Sequence, residues 1–129
     1  MMEKKQEMEG GIRLNQQRAI RDVLRSMGLL GDSLSMRQLV CAVELAHRNP
    51  ELLLRVTKGL YPAVAAHFDQ ATPSTVERNL RLIRDHQWNK GDQERLREMA
   101  GFPIRVKPTT GEFVDLICYY MEFKGAFDD

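Results

Sequence analysis

Between Pro73 and Trp88 the chain places two guanidinium groups, Arg78 and Arg81, where a helix would turn both of them outward. Wound at 100° per residue, Ser74, Arg78, Arg81 and Asp85 share one face, while Val76, Leu80, Ile83 and Gln87 form the opposite stripe. The apolar stripe packs, and the other face offers planar, permanently charged donors to a partner outside. Such donors read guanine edges in pairs and bind phosphate.

The helix that must carry these groups has a start marked twice. Thr72 supplies a capping hydroxyl ahead of Pro73 at the first helical position, and Ser74 with Glu77 three residues later spells a capping box. Just upstream, Pro62, Ala63, Val64, Ala65 and Ala66, with Phe68 near the end, predict a short helix whose small side chains allow a close crossing. A short helix, a polar break and a longer amphipathic helix is the pattern of a helix-turn-helix. In that motif the second helix enters the DNA major groove and the first crosses the backbone. A helical protein-interaction module with a solvated arginine face would read the same way, so both readings stand.

A second basic element follows. Pro103 and Pro108 exclude a helix between Phe102 and Pro108, and alternation of Ile104 and Val106 with Arg105 and Lys107 predicts an extended segment with two basic side chains on one side. Arg105 and Lys107 are the expected phosphate contacts outside the helix.

The runs KGLYPAVAAHF, STVERNLRLIRDHQWNKGD and KPTTGEF carry a family likeness. With their spacing, the chain from about Asn15 to Met121 resembles the C-terminal effector domain of the stage-zero sporulation response regulator of endospore-forming bacteria. The resemblance implies an all-helical DNA-binding domain of about six helices and a transcription regulator that contacts double-stranded DNA. It also implies head-to-tail pairing on tandem sites, with the final helix and Leu82 as contacts. The positions that match the family's recognition helix are Thr75, Glu77, Arg78 and Arg81. The family's leading arginine is Thr75 here, and its histidine is Leu82. Arg78 and Arg81 would then read guanine or bind phosphate, Glu77 would accept from cytosine N4, and Thr75 and Leu82 would offer methyl groups to thymine. The expected contact set is therefore Ser74, Thr75, Glu77, Arg78, Arg81, Leu82, Arg105 and Lys107. The departures imply a target related to, but not identical with, the family's TGNCGAA-like box. A competing implication is a module that kept the fold, lost DNA binding and modulates a full-length regulator by mixed pairing.

Composition is compatible with this. The 129 residues fit one domain, expected over 14–125 between a disordered arm at 1–13 and a tail at 126–129, and the formal charge is only +1. The charge is segregated: from Thr75 to Lys107 eight basic residues face five acidic ones, and from Gly111 onward one lysine faces five acids. No stretch remains for a receiver domain, so switching by phosphorylation of an attached receiver is not expected. With neither a signal peptide nor a membrane span, a cytoplasmic location is expected. Cys41 and Cys118 read as reduced core thiols.

The remaining elements read as scaffold. Asn15 is placed as the cap of a first helix carrying Ile20, Val23, Leu24 and Met27 and stopped by Gly28. Asp32 or Ser33 opens a second with Met36, Leu39, Val40 and Val43. Glu51 to Lys58 predicts a short central helix closed by Gly59. Gly91 predicts a left-handed turn, Asp92 caps a brief helix ending at Gly101, and Trp88 is expected to plug the domain. Thr109 with Glu112 makes a second capping box for a helix carrying Phe113, Leu116, Ile117, Tyr120 and Met121. No Walker loop, dinucleotide fingerprint, zincin motif or nucleophile elbow occurs. His47, His67 and His86 have no cysteine or carboxylate at ligand spacing. Hence no catalytic residue, metal, cofactor, small-molecule substrate or membrane partner is expected; the solitary histidines read as structural or solvated, with phosphate contact by His67 and His86 as the alternative.

Overall fold

The computed structural model describes residues 15–125 and is all-helical over them, as expected. Six α-helices are present among the described residues. These are α1 (15–26), α2 (Leu34–Arg48), α3 (Tyr61–Ala65), α4 (Pro73–Lys90), α5 (Gln93–Ala100) and α6 (Thr110–Phe123). The arm and the tail lie outside the described residues. No helix among those described is long and apolar enough to cross a membrane.

The core forms where the apolar stripes meet. α2 lies in the middle and packs against α4 and α6, while α5 packs on α6 and α3 on α4. Ile20, Leu24 and Met27 of α1, Leu39 and Val43 of α2, Leu80 of α4, and Phe113 and Ile117 of α6 are almost wholly shielded from solvent. Burying a side chain of this size contributes about 1.5–3 kcal/mol, so the stripes rather than helix propensity hold the bundle together. One polar tie crosses the α2–α4 seam: Asn79 Nδ2 donates to Gln38 Oε1 at 2.9 Å, with Gln38 fully enclosed.

Helix ends are set by side-chain caps. Ser33 caps α2 through the Met36 N–H, and Asp92 caps α5 through the Arg95 N–H. Thr109 and Glu112 form the predicted reciprocal box on α6, at 3.1 and 2.8 Å. At α4 the cap is Thr72 as expected, but the box closes between Thr72 and Thr75. The reason is register: with Pro73 as the first helical residue, the third is Thr75, and Glu77 lies beyond reach of the cap. Asn15 is already helical, so it is not the cap expected of it.

Two glycines act differently from one another. Gly28 stops α1 in the left-handed region at φ 91°, as predicted. Gly91 takes an extended conformation instead, and what it needs is space: a Cβ there would lie 2.6 Å from the Gln87 carbonyl oxygen. The two meet where the Asp92 N–H donates to the Met27 carbonyl at 3.0 Å, docking the end of α1 on the α4–α5 junction. Gln87, the polar member of the buried stripe, serves the same junction by donating to the Asp92 carbonyl at 3.2 Å. Trp88 is half-buried against the core beside it.

Three further expectations need correction. The segment after Asn49 is not one short central helix. It is a 3-10 turn at Pro50–Leu54 and then a π-turn at Val56–Leu60 that runs directly into α3. Gly59 lies inside the π-turn and closes nothing. The widened turn falls just before Pro62, whose nitrogen carries no hydrogen to donate to the helical ladder. The segment is peripheral, with Leu54 84% exposed. On α6 the buried stripe is rotated toward Val114 and Cys118, leaving Leu116 and Tyr120 half-buried at its edges. In the segment 102–108, Ile104 is buried but Val106 is 79% exposed, so the strict alternation fails.

The cap assignment is directly testable. Thr72→Ala should lower stability by about 1 kcal/mol in urea unfolding. Ser74→Ala, whose side chain caps nothing, should stay within about 0.5 kcal/mol of the parent.

Candidate nucleic-acid interface

α3, the turn 66–72 and α4 form the helix-turn-helix read from the sequence. α3 buries Tyr61, Val64 and Ala65, and the small residues bring it close against α4. The turn places Gln70 at φ 61°, and Phe68 and Ala71 anchor it on the core. With Val76, Leu80, Ile83 and Gln87 buried, the rotation of α4 is fixed and its opposite face is presented outward.

Ser74, Thr75, Arg78, Arg81 and Leu82 are exposed on that helix, and Glu77 is half-exposed. Their side chains are not equally available. The Thr75 hydroxyl accepts from the Thr72 N–H at 3.0 Å and donates to the Thr72 carbonyl at 3.0 Å, so it is engaged in the helix start. Arg81 Nη1 donates to Glu77 Oε1 at 2.8 Å across one helical turn. Glu77 is therefore tied to Arg81 and takes no part in the cap. Arg78 has no hydrogen-bond or ion-pair partner among the described residues. Leu82, 51% exposed, borders a shallow depression lined by Leu29, Leu30, Met36 and the exposed His86. The first turn of α4 contains no acidic side chain, so nothing there offsets the partial positive charge of the helix N-terminus.

The extended segment is joined to the far end of the same face. Asp85 follows Arg81 by one turn, and its Oδ1 receives Lys107 Nζ at 3.0 Å and Arg84 Nη2 at 2.9 Å. Arg84, with a largely buried side chain, also donates to the Pro108 carbonyl at 3.4 Å. Lys107 thus sits at the end of the arginine stripe, and Arg105, exposed two residues earlier, lies on the same segment. Arg84 is the residue that the sequence reading missed. Counted there only as a charge, it is the fastener that sets where Lys107 stands; its position between the buried stripe and the Arg81–Asp85 face was the available signal. The Lys107 ammonium, and after it the Arg84 guanidinium, hold the Asp85 carboxyl below its ordinary value of 3.8.

The structure thus brings seven of the eight predicted residues, all but Arg105, onto α4 or into direct contact with it. The family model described as "Sporulation initiation factor Spo0A C terminal" matches residues 20–121. That span runs from α1 to the last turn of α6 and contains all eight predicted residues. It is a family of helical effector domains of a sporulation regulator that bind double-stranded DNA, and it is not an enzymatic family.

The Asp85 network predicts an NMR titration. The Asp85 carboxyl should titrate below 3.8, and Lys107→Gln should move its midpoint back toward that value by more than Arg84→Gln does. Because the folded-state pKa is the depressed one, the contribution of this network to stability is present above the unfolded value and is lost as pH falls through the folded one. An unchanged Asp85 midpoint in Lys107→Gln would rule the contact out in solution.

Proposed function

The chain belongs to the Spo0A C-terminal family, and from that membership we propose that it is a sequence-specific transcription regulator that inserts α4 into the major groove of double-stranded DNA. The observation that carries the reading is the outward face of α4: two arginines one turn apart, backed by a buried stripe, with a basic segment fastened to its end. Arg78, the unpaired guanidinium, is the principal base reader. Arg81 is held by Glu77 and reads beside it or binds phosphate, and Glu77 accepts from cytosine N4 when that pair opens. Ser74 at the helix N-terminus faces the backbone. Thr75 and Leu82 present methyl groups to thymine, and Arg105 and Lys107 contact phosphate. The protein acts in the cytoplasm, where the chromosome lies, as one domain over 14–125, with no cofactor.

Pairing of two copies on tandem boxes fits the surface next to this segment. Phe102, Val106 and Tyr119 are each more than half exposed around a groove of about 670 Å³ that reaches Leu116. A head-to-tail pair seats this face of one copy against a different face of the next and places α4 of each at its own box.

Fluorescence anisotropy on a duplex with the family-type box and on a scrambled duplex tests the proposal. Box-dependent binding is expected, with log affinity falling against log salt by about 0.9 per phosphate neutralised. Arg78→Ala should cost about 1–3 kcal/mol and relax base preference, as loss of a bidentate arginine–guanine contact does. Lys107→Ala should weaken binding to all sequences alike and reduce the salt slope by about one contact. Val106→Asp should abolish cooperativity on a tandem duplex and leave single-box affinity unchanged. Equal, weak binding to both duplexes would instead establish a protein-interaction module that acts on a full-length regulator.

A further inference from the structure

His47 in the last turn of α2 and Cys118 and Glu122 of α6 are 71 and 75 residues apart in the chain, and the α2–α6 packing brings them together. Their donor atoms all lie within 4.8 Å of one another, and among the described residues no other group of three His, Cys, Asp or Glu side chains meets in this way. The geometry points to a divalent transition-metal site, formed by His47 Nδ1, Cys118 Sγ and a Glu122 carboxylate oxygen, that clamps the end of α2 onto α6. No residue of it belongs to the DNA-contact set.

Ligand chemistry selects the metal. One imidazole, one thiolate and one carboxylate is a donor set suited to Zn²⁺ and ill suited to Mg²⁺ or Ca²⁺, which take oxygen ligands. Charge also balances: the thiolate and the carboxylate together neutralise the dication, which limits the cost of placing it beside the core. Cys118 and Glu122 stand four residues apart on one face of α6, the helical spacing at which two side chains converge on one ion. Tetrahedral zinc with bonds of about 2.0–2.3 Å sets its ligands roughly 3.3–3.8 Å apart, so the present separations need only small side-chain rotations. Glu122 and His47 can supply these, because both side chains are partly exposed, whereas Cys118 is fixed by burial. Without metal, His47 Nδ1 and Glu122 Oε2 lie 2.9 Å apart and keep two of the donors converged. On binding, the Cys118 thiol gives its proton to solvent as the metal–sulfur bond forms, His47 gives up the Nδ1 hydrogen it donates to Glu122 and carries its ring hydrogen on Nε2 instead, and the ion replaces the His47–Glu122 contact. The fourth position, on the exposed side, takes a water.

Titration of the untagged chain with Co²⁺, a coloured stand-in for zinc, tests the site. One equivalent is expected to produce a thiolate-to-cobalt charge-transfer band and the visible bands of a tetrahedral ion, both bleached by Zn²⁺. Cys41→Ser should retain the charge-transfer band and Cys118→Ser should lose it. Glu122→Gln and His47→Gln should each weaken affinity more than about tenfold. Zn²⁺ should also raise the melting temperature of the parent and not that of Glu122→Gln. A parent without the band, or a band that persists in Cys118→Ser, overturns the site in favour of a His–Glu pair beside a core cysteine. If Cys118→Ser does not fold by circular dichroism, Glu122→Gln decides: parental affinity in that variant overturns the proposal.

Discussion

Burial of Val76, Leu80 and Ile83 against α2 is the constraint on which the rest of the molecule depends. A helix has one rotational setting, and once that stripe is enclosed the positions of Arg78, Arg81 and Asp85 follow without any further interaction. The enclosure is strong because α2 contributes a stripe on its other side to α6, so loosening either seam releases apolar surface into the same core. Gln38 and Asn79 add a directional contact to this seam, which apolar packing cannot supply. The functional face is therefore positioned from behind.

The near-neutral total charge is reconciled with a DNA-binding reading by how the charges are engaged. On the outward face Glu77 is committed to Arg81, and Asp85 to Arg84 and Lys107. These are exposed pairs, individually worth little to stability. Their effect is to order long, flexible side chains before a partner arrives, which lowers the entropy lost on binding. They also mean that part of the basic charge must exchange partners when phosphate approaches. Arg78 stands outside this pairing among the described residues, and so offers a guanidinium with nothing to displace.

What was legible in the sequence divides by range. Stripes with helical spacing and local caps were readable because both depend on residues within four positions: Ser33, Asp92 and the Thr109–Glu112 box all hold. Among the local misreadings, Ser74–Glu77 came from a register ambiguity of two residues where Thr72, Ser74 and Thr75 all look like caps. The π-turn before α3 was not readable, because it arises from how the chain enters a proline-initiated helix that packing already orients. Nor was the role of Gly91, which depends on a carbonyl four residues back approaching to a distance that no side chain tolerates. Long-range meetings were invisible altogether. His47 lies against Glu122 across 75 residues, a meeting that no spacing along the chain announces. Arg84 reached Pro108 in the same way.

That division also runs along the outward face of α4. Thr75 is tied into the helix start, since its hydroxyl accepts from the Thr72 N–H, bonds the Thr72 carbonyl and so completes the α4 cap. A change at the third helical position therefore alters cap stability, whereas Arg78, one turn further on, can change without touching the cap. Leu82 is constrained differently, lying at the rim of the depression between α4 and the start of α2. Thr75 and Leu82 are thus coupled to neighbouring structure, whereas Glu77 and Arg81 are bonded to one another and Arg78 has no partner among the described residues.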